Sequence, residues 1–140
     1  MKTNKILIGG IAAAVTFFFL GWIIGGVLLT DFMQSNYDQS LMKADEDMIW
    51  WAMILSNLVS GFLLALVLGW AGAKSFAQGI KIGCIMGLSI ALAFDLSFYS
   101  MSNMFFGFIP VIVDTLISAV LWAVAGIAVV WTFNMGKKKS

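Results

Sequence analysis

Two carboxylates sit where a membrane-spanning chain has least reason to keep them. Asp95 lies near the end of GIKIGCIMGLSIALAFDLSFY, residues 79–99, and Asp114 lies near the start of the next apolar stretch. Side by side in a low dielectric, two carboxylates cannot both stay ionised, so such a pair holds a proton between them. That is the chemistry of a proton relay or of a site exchanging a proton for a cation. The competing reading is a static polar clasp, in which the acids are satisfied by each other and by Asn57. Trp22 and Trp122 are placed to face an organic cation if one binds.

The depth of Asp95 follows from length. Residues 82–94 are uncharged, but thirteen residues at 1.5 Å each cover only about 20 Å of a hydrocarbon layer roughly 30 Å thick. The helix must therefore run on through Asp95. Lys81, at the other end, can stretch its methylenes to the headgroups. Small residues recur every four positions on one face, at Gly79, Gly83, Gly87 and Ala91, and Asp95 is next in the series. Such a face lets a neighbouring helix approach closely, with the acid at the end of the contact. Gly21 and Gly25 form a second spacing of this kind in the first apolar run.

The elements that hold these residues are set by composition. With 140 residues, 61% hydrophobic and 11% charged, the chain is too apolar for a soluble domain and has room for about four spans. The expected fold is all-α, a single-domain antiparallel bundle of four transmembrane helices at about 6–30, 48–70, 79–100 and 109–134. The first run is far longer than a signal h-region and reads as a span. The sequence holds no histidine and one cysteine, Cys84, so the usual zinc, haem and iron–sulfur ligand sets are missing and neither metal nor cofactor is expected. A membrane hydrolase has no nucleophile–base pair to use.

Residues 31–47 form the one sizeable polar segment, with five acids and Lys43. They read as an acidic outer loop with a short interfacial helix around 37–43. The cluster Asp45, Glu46 and Asp47 lacks calcium-loop spacing and suits a helix start. Trp50, Trp51 and Trp70 bracket the second span as interfacial anchors. If the helices alternate, Lys2, Lys5, Lys74, Lys81, Lys137, Lys138 and Lys139 fall on one side and Lys43 alone on the other. The positive-inside rule then puts both termini in the cytoplasm and the acidic loop on the other side.

Because the last two spans share a short connection, residues 100–107, Asp95 and Asp114 are expected at similar depth in the outer half. Asn57 falls near that level. The inferred polar pocket comprises Asp95, Asp114, Asn57, Ser56, Ser97, Tyr99 and Ser118. The segments FFFLGWIIGGVLLTDFM, LGWAGAKSFAQGIKIGCIMGL and FDLSFYS resemble those of small uncharacterised four-helix integral membrane proteins of Bacteroidetes-type bacteria. That resemblance implies an inner-membrane bundle and no particular chemistry. Small multidrug exporters place an essential glutamate in their first span, where this chain has no acid. Intramembrane aspartic proteases carry Tyr-Asp and Gly-x-Gly-Asp, against Phe94-Asp95 and Val113-Asp114 here.

The leading expectation for function is an accessory or scaffold bundle acting through helix packing and its acidic outer loop. The second is a small proton- or cation-linked permease or binding protein using Asp95 and Asp114. Expected partners are the lipid bilayer and either a second copy or another membrane protein, with no nucleic acid. The orientation is directly testable once Cys84 is replaced by serine. Ser40→Cys should react with an impermeant thiol reagent added outside, and Ser75→Cys should not; the opposite pattern would invert the topology.

Overall fold

Helix starts and stops are written locally in this chain. The computed structural model describes residues 3–28, 30–36, 48–102 and 105–135, with backbone alone at 26, 30, 33 and 34. Its helices are α1 (Thr3–Ile23), α2 (Thr30–Asn36), α3 (Trp50–Trp70), α4 (Phe76–Met101) and α5 (Ile109–Asn134), with a π-helical turn at Ile24–Leu28. There is no sheet among the described residues. The four long helices are long and apolar enough to cross a membrane. At 21 or 26 residues each, they span about 31 or 39 Å.

Helix α4 starts three residues before the expected boundary because Ser75 and Gln78 form a capping box. The Gln78 N–H donates to Ser75 Oγ at 3.2 Å, and Gln78 Oε1 accepts from the Ser75 N–H at 3.2 Å and the Lys74 N–H at 2.7 Å. These bonds satisfy amides that a helix start otherwise leaves unpaired. In the turn before it, Gly72 takes φ +68°, a backbone state that other residues adopt at a cost. Pro110 stands in the first turn of α5, where it loses no helical hydrogen bond.

The first span departs from the expected single helix. Its α-helical geometry ends at Ile23 and widens into the π turn, which contains Gly25 and Gly26. Helix α2 then occupies 30–36, where a polar loop from residue 31 was expected, and Asp31 sits in its first turn, where the helix dipole favours an acid. The expected interfacial helix at 37–43 and the acids at 45–47 lie outside the described residues.

Packing divides the helices unequally. Helices α1, α3 and α5 enclose the main core, built from Ala13, Phe17, Leu64, Leu68, Val129 and Phe133 among others. Helix α4 barely touches α3 and lies along α5. A Cβ added at Gly79 would stand 2.6 Å from the Gly126 carbonyl oxygen, one at Gly87 would stand 2.5 Å from that of Ser118, and one at Gly83 would overlap the Trp122 carbonyl. Rising positions in α4 thus meet falling positions in α5. Gly61 of α3 meets the backbone of Gly10 and Ala14 in the same way. Lys5 Nζ donates to the Phe133 carbonyl at 3.2 Å, and Asn134 Nδ2 donates to the Lys74 carbonyl at 3.0 Å. These bonds tie α1, α5 and the α3–α4 turn together at one end.

The remaining helix faces carry exposed Phe19, Trp22, Val59, Ile85, Phe94 and Val120, far more apolar surface than a water-soluble monomer tolerates. Lipid is the solvent that suits them. The glycine face of α4 is filled within the chain by α5, because three successive turns bring the two backbones that close. Ala91 is only half-buried. Around Gly21 a Cβ would meet nothing within 4 Å, and Gly25 is half-buried.

Gly83→Leu should therefore damage the fold itself, lowering stability by about 1 to 3 kcal/mol or more in detergent, whereas Gly21→Leu should stay within about 0.5 kcal/mol. Thermal unfolding of both variants checks this, and equal behaviour would contradict the packing.

Candidate functional site

Beyond Gly87 the glycine series ends, and α4 and α5 must separate enough to admit larger side chains. Asp95 enters that space two turns later. It is 8% exposed, the only buried acid among the described residues. From α5, the neighbouring residues Asp114 and Thr115 present their side chains to its carboxyl, and among the described residues no basic group does so. Thr115 is 5% exposed and Asp114 is half-buried.

Asp95 Oδ2 and Thr115 Oγ1 are both fully enclosed, and among the described residues neither has a partner in hydrogen-bonding geometry. An enclosed polar atom without a partner costs about 1 to 3 kcal/mol, and hydrocarbon offers no water to relieve it. The same atoms define the chemistry available. An ionised carboxylate only accepts hydrogen bonds, a protonated one also donates, and a threonine hydroxyl does both. One proton on the acid pair would supply the missing donor. A small cation among the carboxylate and hydroxyl oxygens would satisfy them in another way.

A second apolar cluster lies at the α4–α5 connection. Val111, one turn before Thr115 on the same face, packs with Phe105, and Phe32 of α2 covers both. The Phe106 N–H donates to the Asn36 carbonyl at 2.7 Å, fastening α2 to this connection. Beside it the rings of Tyr99 and Phe108 meet edge to face, 5.3 Å between centroids.

Of the residues expected in one pocket, Asp95 and Asp114 come together. Ser118 lies one turn further along α5 and gives its carbonyl to the Gly87 contact. Asn57 does not join them. It is half-buried on α3 and lines a groove of about 240 Å³ with Ile11, Val15, Phe18 and Ile54, between α1 and α3. Ser56, Ser97 and Tyr99 are exposed, and the Ser97 hydroxyl donates to the carbonyl of Ala93 at 3.0 Å. Trp122 is taken up in packing, its ring 4.9 Å from that of Phe17, while Trp22 is exposed.

Thr115 is the site residue that sequence reasoning missed. Its signal was the spacing Thr115, Ala119, Trp122 and Gly126, which traces the α5 face that meets the glycines. No family model, curated protein or solved structure matches the chain.

Proposed function

We propose that the chain is a small membrane-embedded binding protein whose Asp95–Asp114 pair takes up a proton or a small cation. The observation that carries this reading is the enclosed, unpaired Asp95 Oδ2, set beside Asp114 and the equally unpaired Thr115 Oγ1. A static clasp would have its polar atoms satisfied, and the partner expected for it, Asn57, faces α1 instead. Intramembrane acids lean toward proton and ion chemistry for the same energetic reason.

The reading includes a four-helix antiparallel bundle in a bacterial cytoplasmic membrane. Opposed register between α4 and α5 supports the first point. The gathering of Lys5 and Lys74 at one end supports a cytoplasmic placement of that end under the positive-inside rule. The acid pair then lies toward the outer face. Binding is favoured over conduction, because inward of the pair the α4–α5 seam is backbone against backbone at Gly87, Gly83 and Gly79.

An accessory role in a larger membrane assembly is compatible with the same site. The open surface around Gly21 supports that second reading, since small-residue faces serve helix association. A bundle that binds a proton or cation and reports it to a partner unites the two.

Asp95→Asn keeps the shape and hydrogen-bonding capacity of the side chain but removes its ionisation. The wild-type protein in detergent should show a melting temperature that depends on pH or on added sodium between about pH 5 and 9, and Asp95→Asn should fold but lose that dependence. Asp95→Leu, which removes the unpaired oxygen and leaves Thr115 no worse off, should fold at little cost in stability and lose the dependence as well. A wild type indifferent to pH and cations, with Asp95→Asn identical to it, would reject the binding reading.

A further inference from the structure

A metal cation and a proton make different demands on the acid pair. Hard cations such as calcium and magnesium collect about six or more oxygens. Here the Asp95 carboxyl is met by the side chains of Asp114 and Thr115, and among the described residues no other titratable or charged side chain faces it. No group of three metal-binding side chains stands together among the described residues, and the backbone carbonyls at this level are engaged within α4 and α5. Neither Asp95 Oδ2 nor Thr115 Oγ1 has surface that water can reach, so a hydrated ion finds no room. A proton needs one acceptor and no added space.

The same carboxyl lies in the middle of a helix contact. The buried residues of α4 are Gly79, Gly83 and Gly87, set against the α5 backbone, and then Asp95. Residues 92–94 and 96–101, on either side of that acid, are all exposed. Helix α4 meets α3 only slightly, so α5 is the surface on which this half of α4 rests. At its far end the Tyr99 and Phe108 rings touch. Between Gly87 and those rings, the docking of α4 turns on the charge state of one buried acid.

With both carboxyls ionised, two like charges oppose each other in a low dielectric, and no described cation offsets them. One proton converts the repulsion into a charge-assisted hydrogen bond, and the half-buried Asp114 can carry the remaining charge nearer the surface. We infer that the ligand of the pair is a proton and that it acts as a latch: while it is bound α4 lies closed on α5 around Asp95, and its loss parts the helices there and admits water to the carboxylates. The contacts at Gly79, Gly83 and Gly87 stay shut, because they are made by backbone. In hydrocarbon the released segment keeps its helix, having no other partners for its backbone groups, so it bows or tilts away from α5.

The latch rests on the binding reading and names its ligand. In Cys84→Ser protein reconstituted in phosphatidylcholine vesicles, nitroxides attached through Phe94→Cys and Leu116→Cys, both exposed positions, report the distance across the seam beside Asp95. Ile80→Cys and Trp131→Cys, also exposed, report it at the glycine end. Between about pH 5 and about pH 9 the first distance should lengthen by about 2 Å or more, and the second should not move. Asp95→Asn should hold the first distance at its low-pH value throughout. A first distance constant to within about 1 Å, or one that lengthens equally in Asp95→Asn, would overturn the latch. Recovery of the short distance at high pH by sodium chloride, but not by choline chloride, would overturn the proton as the ligand. A melting temperature that responds to pH through Asp95 while the distance stays fixed would remove the latch and leave the binding reading standing; absence of both responses would remove both.

Discussion

The backbone contact between α4 and α5 is the constraint on which the rest depends. Glycines at 79, 83 and 87 bring α4 against the carbonyls of Gly126, Trp122 and Ser118, at a distance only glycine permits. Without a hydrophobic driving force between helices in lipid, this kind of close packing is what can hold them together. It also fixes the rotation of both helices. Once 87 lies on 118, Asp95 must turn its carboxyl toward the next turns of α5, and Asp114 and Thr115 are what it finds there.

From that forced meeting follows an energetic tension. The packing that stabilises α4 on α5 delivers an acid into a contact where its Oδ2 has no partner. A protein with no use for the acid could relieve this with an apolar residue of similar size at little cost. Keeping two carboxylates and a hydroxyl together is the arrangement expected where a proton or cation completes the set. Helix α4 is the natural bearer of such a site. It touches mainly one neighbour, so changes at the end that carries Asp95 need not disturb the core around Leu64 and Val129.

Much of this was legible in the sequence, and the limits are physical. Span length carried the third long helix on through Asp95, the four-residue glycine spacing exposed the face it belongs to, and a short connection put Asp114 at its level. Depth, however, says nothing about azimuth. Asn57 has a depth that suited the pocket, but whether α3 turns it toward α4 or α1 depends on Gly61 packing on Gly10, a contact between distant segments with weak local signal. Thr115 was passed over because a threonine in a span is ordinary until its neighbour is known. The end of α1 was hidden for another reason: its apolar run continues to residue 30, and hydropathy cannot distinguish an α turn from the π turn at 24–28. The capping box of Ser75 and Gln78 is readable from its spacing and accounts for the earlier start of α4.

The central claim is that Asp95 and Asp114 face one another across the α4–α5 seam inside the bilayer. Solid-state magnetic resonance on protein labelled with ¹³C-aspartate in lipid vesicles tests it most directly. The account predicts a through-space correlation between the two side-chain carboxyl carbons and a displaced Asp95 resonance when Asp114 is replaced by asparagine. An Asp95 signal with no such correlation, unmoved in Asp114→Asn, would contradict it.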